Sequence, residues 1–98
     1  MKIVIDIDGT ICTHEADYKD AKPYLNRIYK VNTMYDTGNE IIFCTARGSK
    51  TGIKWREVTE KQLKSWGVKY HQLILNKPYG DMYIDDKAMK DDFLGDKK

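Results

Sequence analysis

The chain has little of several things, and each shortage narrows its class. Only two cysteines and two prolines occur in 98 residues. Cys12 and Cys44 are too few and too far apart for a zinc framework. Both are expected as reduced thiols, Cys44 packed as a small hydrophobe inside an apolar run and Cys12 partly exposed after an acidic turn. Neither has a neighbouring base that would mark it as a nucleophile. No apolar run approaches the length needed to cross a bilayer, and the first residues lack the charged, apolar and small-residue regions of a secretory signal, so the chain reads as cytoplasmic with no membrane partner. Charge of one sign is also missing: 17 basic residues stand against 15 acidic ones, a formal net charge of +2, too small to force a nucleic-acid or membrane reading. Internal repeats, linkers and low-complexity segments are absent too. A hydrophobic share of 41% and a charged share of 33% describe an ordinary globular chain with a well-charged surface. The length fits one domain over residues 1–98 with a single modest core.

What is present is concentrated at the start, in Lys2-Ile3-Val4-Ile5-Asp6-Ile7-Asp8-Gly9-Thr10. A short unbroken run of β-branched residues reads as a strand buried on both faces. Such strands belong to parallel sheets flanked by helices, so this one is expected to be central. Asp6 and Asp8 fall where the run ends, and open α/β sheets bind their ligands at the carboxyl ends of strands. Two carboxylates held close repel each other and resist desolvation, and a divalent cation relieves both costs. Gly9 permits a sharp exit, and the Thr10 hydroxyl is expected to meet freed amides in the turn. Alone, Asp-x-Asp-Gly is also ordinary turn chemistry; the rest of the chain decides.

Residues 11–20 read as a polar loop or hairpin leaning over the end of the first strand, with His14 a lesser candidate for ligand contact. From Ala21 the spacing turns helical. Pro23 suits a first turn, Tyr24, Ile28, Val31 and Tyr35 form an apolar stripe, and Gly38 supplies the stop. Residues 40–45 hold a second buried strand, Ile41-Ile42-Phe43-Cys44, ending in Thr45-Ala46-Arg47-Gly48. Strand, helix, strand implies a right-handed crossover, which brings Thr45 out at the same sheet end as Asp6. There its hydroxyl is a candidate phosphate ligand, although a threonine capping the next turn would look the same. A loop over 48–52 precedes a helix over 53–66. Trp55, Val58, Thr59, Gln62, Leu63 and Trp66 share one face of it, and Lys54, Arg56, Glu57, Glu60, Lys61 and Lys64 a solvated one. Gly67 ends it. The third strand, 72–75, leads to Lys77; the fourth, 82–84, leads to Asp85-Asp86. A short helix over 87–94 and a charged tail close the chain.

In order, the strand ends carry Asp6-x-Asp8, Thr45, Lys77 and Asp85-Asp86. Together they put a nucleophile, a neutral donor, a cation and an acidic pair on one edge of a single sheet, which is what phosphoryl transfer through a carboxylate requires. The four motifs in this order resemble those of the haloacid dehalogenase superfamily of phosphatases. Within it, Asn76-Lys77-Pro78-Tyr79 and Tyr83-Ile84-Asp85-Asp86-Lys87-Ala88 look like the small capsule-biosynthesis phosphatases.

The resemblance implies a three-layer, Rossmann-like α/β fold. Its mainly parallel sheet would have about four strands in the order 4-1-2-3, with helices on both faces. Asp6 would be the nucleophile and Asp8 the general acid and base. Mg2+ would be the cofactor, with Asp6, Asp8, Asp85 and Asp86 as its metal residues, Asp8 through its main-chain carbonyl. Thr45, Ala46, Arg47 and Lys77 would bind the phosphoryl group. Larger members carry a cap domain, for which the intervals here are too short, so the form is capless and substrate choice falls to the loops 11–20 and 48–52. A fifth strand beyond the fourth motif is also lacking, which leaves a sheet edge to be covered by the terminal helix or by a second copy of the chain. The implied activity is a Mg2+-dependent phosphomonoesterase acting on a sugar phosphate or other small phosphate ester. Arg47, Lys50, Lys54 and Arg56 keep a nucleic-acid-end phosphatase, or a nucleotidase, as the alternative. A non-catalytic, receiver-like domain fits less well, because a receiver's phosphorylated Asp follows the third strand, where this chain has Lys77.

Overall fold

In the computed structural model of this chain, residues 1–45 and 55–74 and the backbone of 82–84 are described. The first strand, β1 (Lys2–Asp6), is followed by a loop with one 3-10 turn (Tyr18–Asp20), then α1 (Leu25–Asp36), β2 (Glu40–Cys44), α2 (Trp55–Ser65), β3 (Gln72–Ile74) and β4 (Met82–Ile84). The four strands form one sheet in the order β3-β2-β1-β4, and every pairing is parallel. The chain is thus α/β, and the strand order is the one expected. β1 is central, because its β-branched run can bury both faces: Ile3, Val4 and Ile5 are all buried.

The register puts Ile3 beside Ile41 and Ile5 beside Phe43, with Leu73 next to Phe43, so these five share one face. Ile28, Val31 and Met34 of α1 and Leu63 of α2 join the same cluster. Both described helices therefore cover one face, as two successive right-handed crossovers in one direction require. Val4 and Ile42 point to the opposite face and are equally buried, but neither belongs to that cluster. The expectation of helices on both faces is met on one face among the described residues. The expected helix over 87–94 lies outside them. Asn32 of α1 ties the layer together: its Nδ2 donates to the Gly67 carbonyl at 3.0 Å and its Oδ1 accepts the Lys69 N–H at 2.7 Å.

Both helices stop where glycine allows it, Gly38 at φ +98° and Gly67 at φ +71°. After α1 the Gly38 and Asn39 amides donate back to Tyr35 and Met34 at 3.1 Å each, satisfying carbonyls of the last turn. The outer side of α2 is solvated as read, with i,i+4 pairs Arg56–Glu60 at 3.1 Å and Glu57–Lys61 at 3.2 Å. Tyr70 packs edge-on against Phe43, ring centroids 5.6 Å apart. Burial, reinforced by Glu60 and opposed by Arg56, raises its hydroxyl above the ordinary value.

The start of α1 differs from the sequence reading. α1 begins at Leu25, not near Ala21, because the chain before it zips against the loop after β1. Pro23 forms a bridge with Cys12, Thr13 N–H donates to the Lys22 carbonyl at 2.8 Å, and Tyr24 N–H donates to Ile11 at 2.8 Å. Those amides and carbonyls are spent across the loop and cannot start a helix.

Candidate active site

The sheet register builds the site's floor. Asp6, the last residue of β1, pairs with Cys44, the last of β2, and Cys44 pairs with Ile74, the last of β3. Thr45 stands one residue beyond Cys44, buried at 4% exposure, and its N–H donates to the Ile74 carbonyl at 3.2 Å. Adjacent strands run about 5 Å apart, so Thr45 is a near neighbour of Asp6 along this edge. β4 ends at Ile84, whose partner Ile84↔Ile5 lies one residue before Asp6. Of the candidate residues, Asp6, Asp8 and Thr45 are described; Ala46, Arg47, Lys77, Asp85 and Asp86 lie outside the described residues.

Past Asp6 the chain winds through a single tight turn. Ile7 continues the Ile3, Ile5 row into the core, which leaves Asp6 and Asp8, both half-buried, off that face. Gly9 sits at φ +82°, where a side chain would cost about 1–2 kcal/mol. Its N–H donates to the Cys12 carbonyl at 2.9 Å, and the Thr10 and Ile11 amides donate to the Ile7 carbonyl at 3.1 and 3.0 Å. The turn's amides are thus met by main-chain oxygens. The Thr10 hydroxyl is expected to meet them; instead Thr10 Oγ1 is buried with no hydrogen-bond partner among the described residues.

The two cysteines exchange the environments expected of them. Cys12 is fully buried while Cys44 is only half-buried. The turn curls Cys12 back under the loop, where it bridges Asp8 and Pro23, whereas Cys44 stands at the open end of its strand. Cys12 Sγ lies 3.6 Å from the Ile7 carbonyl oxygen and 3.7 Å from Oδ1 of Asp8.

Sequence reasoning missed Arg27. It is 2% exposed, its Nη1 donates to the Thr10 carbonyl at 2.8 Å, and its guanidinium carbon stands 5.9 Å from the centroid of the Tyr24 ring. A buried guanidinium is costly unless held by hydrogen bonds, and this one donates to the turn that carries Asp8. The available signal was spacing: Arg27, Val31 and Met34 recur at i, i+4, i+7 along the buried side of α1.

The loop over 11–20 is anchored on α2. Asp17 Oδ1 accepts the Lys19 N–H at 3.0 Å, the Tyr18 ring meets Trp55 edge-on at 5.0 Å, and Gln62 Nε2 donates to the Tyr18 carbonyl at 2.6 Å. His14 is exposed on that loop. Among the described residues no helix is long and apolar enough to cross a membrane.

These features define a class: an α/β protein whose all-parallel sheet presents an acidic turn at the carboxyl end of its central strand. The solved structures it resembles are of the same architecture. An MCSG target protein from Vibrio cholerae, known from its crystal structure, superimposes with a TM-score of 0.74 at 27% identity, over 95% of this chain and 85% of that one. A chain of the Pnkp1/Rnl/Hen1 complex superimposes with a TM-score of 0.61 at 19% identity, over 95% of this chain but 31% of that one. No protein-family model and no curated protein sequence matches the chain.

Proposed function

We propose that the chain is a Mg2+-dependent phosphomonoesterase of the haloacid dehalogenase type, working through an aspartyl phosphate. The observation that carries the proposal is the pair of half-buried carboxylates, Asp6 ending the central strand and Asp8 two residues on, with Thr45 beside them on the same edge. The architecture shared with a chain of the Pnkp1/Rnl/Hen1 complex supports it at the level of the fold.

In the first half-reaction a carboxylate oxygen of Asp6 attacks phosphorus, the ester P–O bond breaks, and the leaving oxygen takes the proton of Asp8 to depart as an alcohol. In the second, the Asp8 carboxylate takes a proton from water, whose oxygen attacks the phosphorus of the aspartyl phosphate. Inorganic phosphate leaves and the Asp6 carboxylate is restored. One carboxyl serves as acid and then as base because the first step leaves it deprotonated for the second. The Thr45 hydroxyl and the Lys77 ammonium hold the phosphoryl oxygens, aided by Ala46 and Arg47, and Lys77 offsets repulsion between that group and Asp6.

The donor set at this edge, carboxylate and carbonyl oxygen, is the hard-oxygen set that suits Mg2+. The ion would be held by Asp6 and Asp85 and by the main-chain carbonyl of Asp8, with Asp86 orienting or joining that shell. Bound there, it would offset the charge that gathers on the transferring group.

The substrate we infer is a sugar phosphate or another small phosphate ester. A polynucleotide would need free cations, and of the four basic residues that favoured one, Arg56 donates to Glu60 at 3.1 Å and to the Leu73 carbonyl at 2.6 Å. Arg47, Lys50 and Lys54 lie outside the described residues. The test is hydrolysis of a chromogenic aryl phosphate with Mg2+, followed by a panel of sugar, nucleotide and oligonucleotide-end phosphates. Turnover of the aryl ester, with small esters preferred over oligonucleotides, is expected. No turnover of any member would contradict the proposal, and preference for oligonucleotide ends would replace its substrate.

A further inference from the structure

A thiol has one proton and donates to one acceptor at a time. Among the described residues Cys12 Sγ stands within reach of two, the Ile7 carbonyl at 3.6 Å and Asp8 Oδ1 at 3.7 Å. The Ile7 carbonyl already accepts the Thr10 and Ile11 amides at 3.1 and 3.0 Å, which takes up both of its lone pairs. A carboxylate offers about four lone-pair sites, and ionised acceptors draw the stronger bond. On these grounds the thiol proton goes to Asp8. The turn holds the geometry in place, since the Gly9 amide donates to the Cys12 carbonyl at 2.9 Å and Cys12 is bridged on both sides, to Asp8 and to Pro23. With no exposed surface, Cys12 is shielded from bulk water.

We infer that Cys12 is a positioning residue for Asp8: its S–H···Oδ1 bond fixes the plane of the carboxyl that hands its proton to the leaving group. The role rests on the proposed reading of Asp8 as acid and base. The bond itself rests only on the geometry of the turn.

Two measurements on the full chain test it. The first is the infrared S–H stretch, assigned to Cys12 by its loss in Cys12→Ser. The band is expected at the lowered frequency of a hydrogen-bonded thiol, and it is expected to rise in a folded Asp8→Ala variant. A Cys12 band that Asp8→Ala leaves in place would overturn the inference whether or not the protein hydrolyses phosphate esters.

The second is turnover of paired substrates. Cys12→Ala should lower kcat on an alkyl phosphate by roughly tenfold, the rate equivalent of one modest hydrogen bond. It should change kcat on an activated aryl phosphate far less, because a good leaving group needs little protonation. KM should hold for both, and Cys12→Ser, which keeps a donor, should recover most of the loss. Equal losses on both esters, or no recovery with serine, would reduce Cys12 to packing and overturn the inference. Absence of wild-type turnover would remove the proposed reaction and the role with it, while the infrared band would still report the bond.

Discussion

Replacing Arg27 with methionine tests how much the turn beneath Asp8 owes to a buried charge. The substitution keeps an apolar stem of similar length and deletes the guanidinium, whose Nη1 donates to the Thr10 carbonyl at 2.8 Å. Two effects oppose each other. Losing a hydrogen bond from a charged donor costs about 1.5–3 kcal/mol, and the Thr10 carbonyl loses that donor in a buried setting. In the other direction, the variant no longer holds a cation out of water, and apolar replacement of complete buried ionic groups is often neutral or stabilising. Here only one partner is replaced and its acceptor remains, so the loss should win by about 2 kcal/mol. For a domain of this length that is a fall in Tm of roughly 10 °C. Arg27→Lys, which keeps the charge but not the planar fork, should fall in between. Thermal melts and urea unfolding with an unchanged m-value would measure it. A methionine variant as stable as the wild type, or more so, would refute the reasoning and show that desolvation outweighs what the guanidinium gains from its partners, the Thr10 carbonyl among them.

Other outcomes follow from the same structure. Asp6→Asn should abolish turnover and leave Tm equal or higher, because an amide cannot form an acyl phosphate and one charge leaves a crowded acidic turn; a kinetic assay beside a thermal melt checks both halves. Millimolar Mg2+ should raise Tm by mass action on the folded state, and chelation should remove activity while circular dichroism stays native. A Tm indifferent to Mg2+, with activity in excess chelator, would count against the ion. Gly67→Ala should cost about 1 kcal/mol through backbone strain alone, since Gly67 sits at φ +71° with nothing within 4 Å of an added Cβ. Urea unfolding would detect that loss.

The sheet was legible in the sequence because its strands are apolar on both sides. Ile3-Val4-Ile5 and Ile41-Ile42-Phe43 can bury both faces, as parallel strands between helices do, and crossover handedness then brings Asp6 and Thr45 to one edge, where the structure has them. Gly38 and Gly67 mark the helix ends for an equally local reason, their positive φ. What could not be read depends on contacts distant in sequence. Pro23 looked like a first helical turn until its pairing with Cys12 is known. The burial of Cys12 and of the Thr10 hydroxyl comes from how the turn closes. Arg27 was passed over because charge outweighs spacing when a helix face is assigned by composition. Its place on the buried stripe with Val31 and Met34 could have shown it.

The most direct test of the central claim is quenched mass spectrometry of the Asp8→Asn variant after reaction with an activated aryl phosphate. Such a substrate departs with little help from an acid, so the first half-reaction should proceed, while the second lacks its base and the intermediate should accumulate. The account expects phosphate covalently attached at Asp6 in this variant, and none at that position in Asp6→Asn. An Asp8→Asn variant that loses activity equally on all leaving groups and traps no phosphorylated Asp6 would contradict it.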